Sequence, residues 1–390
     1  MLRDTLLLTI SKLIVALVAF FINWYLARIL VPEEFGVYSL LLNYVNFLGI
    51  LFLMGTNVSH VYYKNKGVNN FKALISIYGL LLIAFSLFYI VFSGKYVVFL
   101  VIANSLLLAS FSLLNSDAQA DGKFLTYAKQ IIFYSIGGAA FVFIGVFYFY
   151  FDEGQEIMVL SFTGSFFTFI LLSYSKYTYK AYNVKLKKTK EFLKYGANGF
   201  FLNLQGQALY FADLIIIGAI MGAEDVAIYS VAALIAKVMW LFIDTIGIVL
   251  FPKIINGKYN EKLKKVNLAI FQTFIICLIP AVIFVIFGLE GVIFAFGEQY
   301  ESSFYLAKIL VVSSFPLILY KISSRLVASE SMWRIAHIAL FISLLVNIIL
   351  NIISIPALGL IGAAYSSLIS YAICGLYIYF KVCSHNAKSR

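Results

Sequence analysis

Apolar residues in this chain fall into blocks of about twenty, separated by short polar breaks. At a rise of 1.5 Å per residue, a helix of that length spans a hydrocarbon core of about 30 Å. Twelve such blocks predict helices over about 5–29, 37–61, 73–93, 96–115, 128–150, 157–175, 197–221, 226–250, 267–288, 304–327, 336–355 and 361–381. The ten-residue alternation of a membrane barrel is not present. The expected fold class is therefore an all-α integral membrane protein with about 12 transmembrane helices.

Twelve crossings return the chain to its starting side, so the breaks alternate between two compartments. On the side of the termini lie Lys64, Lys66, Lys72, Lys123, Lys129, the run "KYTYKAYNVKLKKTKEFLK", the break "KIINGKYNEKLKK" and Arg334. The opposite breaks carry Glu33, Glu34, Asp152, Glu153, Glu156, Glu224, Asp225, Glu290, Glu298 and Glu301, with Arg28 and Lys95 as their bases. The positive-inside rule makes the first side, and with it both termini, cytoplasmic.

One phrase occurs twice. "VPEEFGVYS", Val31 to Ser39, matches "GAEDVAIYS", Gly222 to Ser230, at a constant offset of 191 residues. Both copies sit in an outer turn between an odd and an even block. Chance likeness of two acidic turns is the plainer explanation. The repeat reading gives two six-helix lobes of the same orientation, related as a parallel repeat around a central cavity. It sets residues 1–180 as the first lobe, 181–196 as a basic cytoplasmic linker and 197–390 as the second lobe.

Composition agrees with a membrane chain: 63% of residues are hydrophobic, 12% are charged, and the mean hydropathy is +0.96. The net charge of +11 sits in the breaks, where a membrane surface explains it without nucleic acid. Cys277, Cys374 and Cys383 lack ligand or redox spacing, and the three histidines do not cluster, so no metal site is expected. No GxxxxGK[ST] loop is present for ATP. Asp117 and Asp121 in "NSDAQADGK" read as a solvated turn rather than as catalytic carboxylates, and no enzyme chemistry is expected.

Charges inside the blocks need an account, because each costs about 2.5–3.5 kcal/mol at the bilayer centre. Lys12 lies in the first block, Asp213 in the seventh, Lys237 and Asp244 in the eighth, and Lys308, Lys321 and Arg325 in the tenth. Lys12, Lys308 and Arg325 are near enough to a block end to snorkel. Lys237 is not. Lys237 and Asp244 are seven residues apart and share a helix face with Trp240 between them. Two readings stand: internal ion pairs, for instance Lys237 with Asp213, or a wet cavity that receives an anion. At the repeat offset Asn46 matches Lys237 and Lys12 matches Asn203, so equivalent faces are polar in both halves.

The segments "YLARILVPEEFGVYSLLL", "YFADLIIIGAIMGAEDVAIYSVAALIAKV", "FGEQYESS" and "PALGLIGAAYSSLISY" resemble the Wzx-type polysaccharide repeat-unit flippases, in the superfamily of multidrug exporters and lipid II flippases. The resemblance implies alternating access and outward movement of an undecaprenyl-diphosphate-linked oligosaccharide across the bacterial inner membrane, for O-antigen or another surface polysaccharide. It implies membrane lipid as a partner, and a polysaccharide polymerase and chain-length regulator downstream. By location, Lys12, Asp213, Lys237 and Asp244 match the family's charged cavity positions; Asn46, Trp240, Lys321 and Arg325 complete the candidate set. No organic cofactor is implied, and Asp213 or Asp244 is placed to carry a coupling H+ or Na+. The alternative within the superfamily is a multidrug-type exporter of small cations, and a membrane-embedded glycan polymerase is a third reading.

Overall fold

The computed structural model describes residues 2–92, 96–174, 188–254, 257–330 and 332–388. The helices among them are α1 (Leu2–Ile29), α2 (Pro32–Leu53), α3 (Thr56–Lys64), α4 (Phe71–Phe92), α5 (Tyr96–Ala120), α6 (Phe124–Phe149), α7 (Gly154–Tyr174), α8 (Thr189–Ile220), α9 (Ala223–Ile254), α10 (Tyr259–Phe296), α11 (Glu301–Ser329), α12 (Trp333–Leu358) and α13 (Leu360–Lys388). Eleven of the described helices are long and apolar enough to cross a membrane, and α4 supplies a shorter apolar stretch, Phe71–Leu87. Large apolar side chains such as Phe271, Ile279, Ile283 and Phe287 of α10 stand exposed, while Ser, Asn and Asp side chains are buried. That inversion of the soluble pattern suits hydrocarbon, which solvates apolar groups and bonds no polar ones.

The repeated phrase begins equivalent helices: α2 starts at Pro32 and α9 at Ala223, the offset seen in the sequence, each with two acids in its first turn. Acidic groups there face the positive end of the helix dipole.

Several helices outrun the predicted blocks, as α10 does at both ends, and the second block differs in kind. The second apolar block was predicted to run through residue 61, but the helix stops at Leu53. Met54 and Gly55 take left-handed backbone angles, φ 45° and 70°, and the chain turns into the separate short helix α3. The apolar pattern does not register such a break, since "LFLMGTNVSHV" stays rich in apolar residues across it. The basic stretch 181–196 lies outside the described residues as far as 187; from Thr189 it is helical, as the start of α8.

Packing divides the chain into two compact units. One comprises Met1–Leu30 and Val37–Leu204, the other Val31–Gly36 and Gln205–Arg390. In the first unit, α4, α5 and the start of α8 share a core that includes Leu53, Phe71, Leu74, Leu106, Leu114 and Phe192. In the second, α11 packs along α9 and α13, and α12 along α13.

Two glycines set close approaches. A Cβ at Gly36 would sit 1.7 Å from the Ala223 carbonyl oxygen, and one at Gly55 would sit 2.1 Å from that of Gly196. Both obstacles are backbone, which cannot step aside. Gly36→Ala and Gly55→Ala are therefore expected to lower the melting temperature of the purified protein by several degrees, an overpacking cost of about 1–3 kcal/mol. Gly79→Ala, with nothing within 4 Å of its Cβ, should leave it unchanged. Equal melting of all three variants would contradict these approaches.

A buried carboxylate and a basic seam in the second unit

Asp213 projects from α8 and is 3% exposed. Its Oδ1 accepts hydrogen bonds from the amides of Asn347 at 3.0 Å and Asn351 at 2.7 Å, both on α12. Its Oδ2 accepts from the Tyr229 hydroxyl of α9 at 2.8 Å and from the Ser367 hydroxyl of α13. Four helices thus meet at one carboxyl group. Every one of its donors is neutral.

The proposed ion pair of Lys237 with Asp213 is not formed. Lys237 lies on α9, two turns beyond Tyr229, and makes no ion pair or hydrogen bond among the described residues, and its side chain stays exposed. Lys237 and Asp213 instead line one small cavity of about 20 Å³, together with Tyr210, Tyr229, Trp240 and Tyr371. The neutral donors already occupy both carboxylate oxygens, which removes the reason for an ammonium to close on them.

Trp240 shares that wall, as the helix spacing predicted. Its indole N–H donates to the Ser314 hydroxyl of α11 at 3.2 Å, and its ring packs against Tyr210 at 4.7 Å. Asp244, one turn further, is claimed by α11: the Lys321 ammonium donates to both its oxygens, at 2.9 and 2.8 Å, and lies 5.3 Å from the Trp240 ring centroid. Arg325 follows one turn later against Gly247, where a Cβ would meet its Nε at 2.9 Å. That Nε is buried without a hydrogen-bond partner, so Arg325 does not simply snorkel. The α9–α11 contact is therefore a seam with three cations, Lys237, Lys321 and Arg325, and one carboxylate, Asp244. It runs from mid-span toward the end of α9 that carries Lys253.

Lys12 and Asn46 belong to the first unit. Lys12 is exposed on α1, and the Asn46 amide donates to the Leu42 carbonyl of its own helix at 2.8 Å. Lys308 lies 4.6 Å from the Phe304 ring centroid. The sequence reading missed Asn347, Asn351 and Ser367, although Ser343, Asn347, Asn351 and Ser354 recur at helical spacing along α12.

Asp117 is also placed differently. Rather than lying in a solvated turn it is buried at the end of α5, with His60 Nε2 3.0 Å from its Oδ1 and the Lys64 ammonium at 2.6 Å. Lys64 reaches Asp121 too, at 2.5 Å, and Lys123 lies 3.2 Å from Asp121. Burial works against both charges of the Lys64–Asp121 pair. The hydrogen bonds from Lys64 to Asp117 and Asp121 nevertheless hold the ammonium above its ordinary range. Those from Lys64 and Lys123 hold the Asp121 carboxyl below its own.

A family model described as polysaccharide biosynthesis protein matches residues 1–258. A Shigella flexneri protein named an O-antigen transporter is 27% identical over 187 residues, 47% of this chain and 45% of that one. A Haloferax volcanii protein named a low-salt glycan biosynthesis flippase is 22% identical over 191 residues, 48% and 40% of the two chains. The matched stretch thus spans less than half of each relative. Among solved structures, the lipid II flippase MurJ in an inward closed conformation aligns with a TM-score of 0.76 at 18% identity, covering 97% of this chain and 87% of that one. An inward-facing multidrug resistance transporter of the MATE family aligns with a TM-score of 0.75 at 13% identity, covering 97% and 98%. At these identities the likeness is one of fold.

Asp213→Ala is expected to strand four buried donors and to lower the melting temperature more than Asp213→Asn, which keeps an acceptor; an unsatisfied buried group costs about 1–3 kcal/mol. Equal melting of the two would speak against the network. For the Lys64–Asp121 pair, the depressed carboxyl contributes stability above its unfolded pKa of about 3.9, lost as pH falls through the folded value. The raised ammonium contributes below about 10.4, lost as pH rises through its own folded value. The melting difference between the native chain and Lys64→Met should accordingly be constant from about pH 5 to 9 and shrink below about pH 4; a difference independent of pH throughout would refute the pairing.

Proposed function

We propose that this chain, which belongs to the polysaccharide biosynthesis protein family, moves a lipid-linked oligosaccharide between membrane leaflets by alternating access. The finer reading is an undecaprenyl-diphosphate-linked repeat unit, carried from the cytoplasmic to the outer leaflet of the bacterial inner membrane for O-antigen or another surface polysaccharide. A polymerase and chain-length regulator would take up the product. The observation that carries the proposal is the α9–α11 seam, with Lys237 exposed and, among the described residues, unpaired at mid-span.

A diphosphate diester bears two negative charges at neutral pH, and placing them unpaired in hydrocarbon is prohibitive. Lys321 and Arg325 meet such a group from the cytoplasmic end, and Lys237 meets it at mid-span. These cations stay with the protein when the ligand leaves. An inside-negative potential then favours outward transfer by about 2.3 kcal/mol per charge per 100 mV. Two charges supply several kcal/mol, enough to set direction without ATP. The polyprenyl tail remains in lipid while the sugars cross.

Asp213 is the carboxyl group best suited to carry a coupling H+ or Na+. Among the described residues no cation pairs with it, and carboxylate, amide and hydroxyl oxygens are hard donors that suit a small cation. Asp244 is committed to Lys321 and is excluded from that role. Export of organic cations fits poorly with a seam in which three bases face one acid.

Lys237→Ala should reduce surface polysaccharide at least tenfold at unchanged protein level and leave the lipid-linked precursor in the cytoplasmic leaflet, while Lys237→Arg retains most output. Normal polymer output from Lys237→Ala would reject the role given to the seam.

A further inference from the structure

A second cavity, of about 580 Å³, opens in the first unit at the end that carries Lys64 and Lys123. Its walls come from α3, the end of α5 and the start of α8. The close approach of Gly55 and Gly196 sets how α3 meets α8 and brings Tyr62 of α3 onto Tyr195 of α8. Their rings stack at 4.0 Å between centroids and 17° between planes. Tyr63 abuts both edge-on, 5.2 Å from Tyr62 and 6.2 Å from Tyr195. Lys66 holds the outer end, with its ammonium 2.5 Å from the Tyr62 hydroxyl.

The polar groups of this cavity are amides. Asn57 and Gln119 line it, and neither side chain has a hydrogen-bond partner among the described residues. Asn65 donates to the Val61 carbonyl at 2.9 Å, which leaves its oxygen free to accept. Among the described residues, no carboxylate lines the cavity and Lys66 is its one cation.

An amide offers a donor and an acceptor side by side, which matches adjacent hydroxyls on a sugar ring. A flat aromatic wall matches the ring's C–H face. A phosphate would call for several cations, and an organic cation for a carboxylate. The volume lies in the range of ligand sites, about 300–1,000 Å³.

We propose that this cavity is a saccharide-docking site that holds a pyranose ring of the lipid-linked glycan against the Tyr62–Tyr195 wall on the cytoplasmic side. The assignment rests on the transport reading above and adds to it a place in the first unit where the sugar is received. The wall presents the ring face, Asn57 and Gln119 bond its hydroxyls, and Lys66 fixes Tyr62.

Saturation-transfer NMR on the purified full chain in nanodiscs tests this, with N-acetylglucosamine, galactose and mannose as probes. Transfer to ring protons of at least one sugar is expected. It should fall at least threefold in Tyr62→Ala and Tyr195→Ala, and also in Gln119→Ala, an exposed position whose change leaves the aromatic packing intact. Absence of transfer to all three sugars, or equal transfer in native and variant proteins, overturns the proposal. So does transfer from UDP-N-acetylglucosamine that favours the uracil protons over the sugar. The two readings fail separately: tyrosine-independent sugar contact with Lys237-dependent export removes the docking site alone, and tyrosine-dependent contact with export indifferent to Lys237 removes the role of the seam alone.

Discussion

Hydrocarbon offers no hydrogen bonds, so a carboxyl group set between membrane helices must be bonded by the helices themselves. In the second unit that constraint is met at Asp213, where donors from α9, α12 and α13 close on a residue of α8. The helix faces that surround it are chosen accordingly. Asn347 and Asn351 lie four apart on one face of α12, with Ser343 a turn before them, and all three are fully buried. The Ser370 hydroxyl of α13 lies 3.3 Å from the Asn347 amide as a further partner. Rotating any one of these helices would strand several polar groups at once, which is how a single residue can fix the register of four.

The same constraint divides the remaining charges into two kinds. Lys321 and Asp244 satisfy each other, and stacking of the ammonium beside Trp240 and Tyr210 adds a cation–π contribution. That pair holds α9 to α11. Lys237 is left over on the same helix, with no bond among the described residues. A charge that the fold does not use is a charge available to a ligand, and its neighbours along the seam are of the same sign.

Much of the architecture was legible because block length answers directly to bilayer thickness. The 191-residue offset relates the starts of α2 and α9, but the acidic phrase that reads as an outer turn is already the first helical turn, so both helices begin a few residues before the predicted 37 and 226. The site was legible in part. Lys237, Trp240 and Asp244 stand out because charged and indole groups are rare in apolar helices. Asn347, Asn351 and Ser367 do not, since buried Ser and Asn are common in membrane helices and only a partner on another helix gives them meaning. The same limit misplaced Asp117. Its partners His60 and Lys64 are more than fifty residues away in sequence, and only the left-handed turn at Met54 and Gly55, which sends α3 back across α5, brings them to it.

The duplication itself has drifted from symmetry where it matters. At the 191-residue offset Asp213 falls on Ile22, and Lys237 falls on Asn46. Those two titratable groups stand opposite an aliphatic and an amide side chain, while Lys12 of the first half stands opposite the amide Asn203. A conformational cycle driven by protonation of Asp213 would consequently have no equivalent trigger at the matching position of the other half.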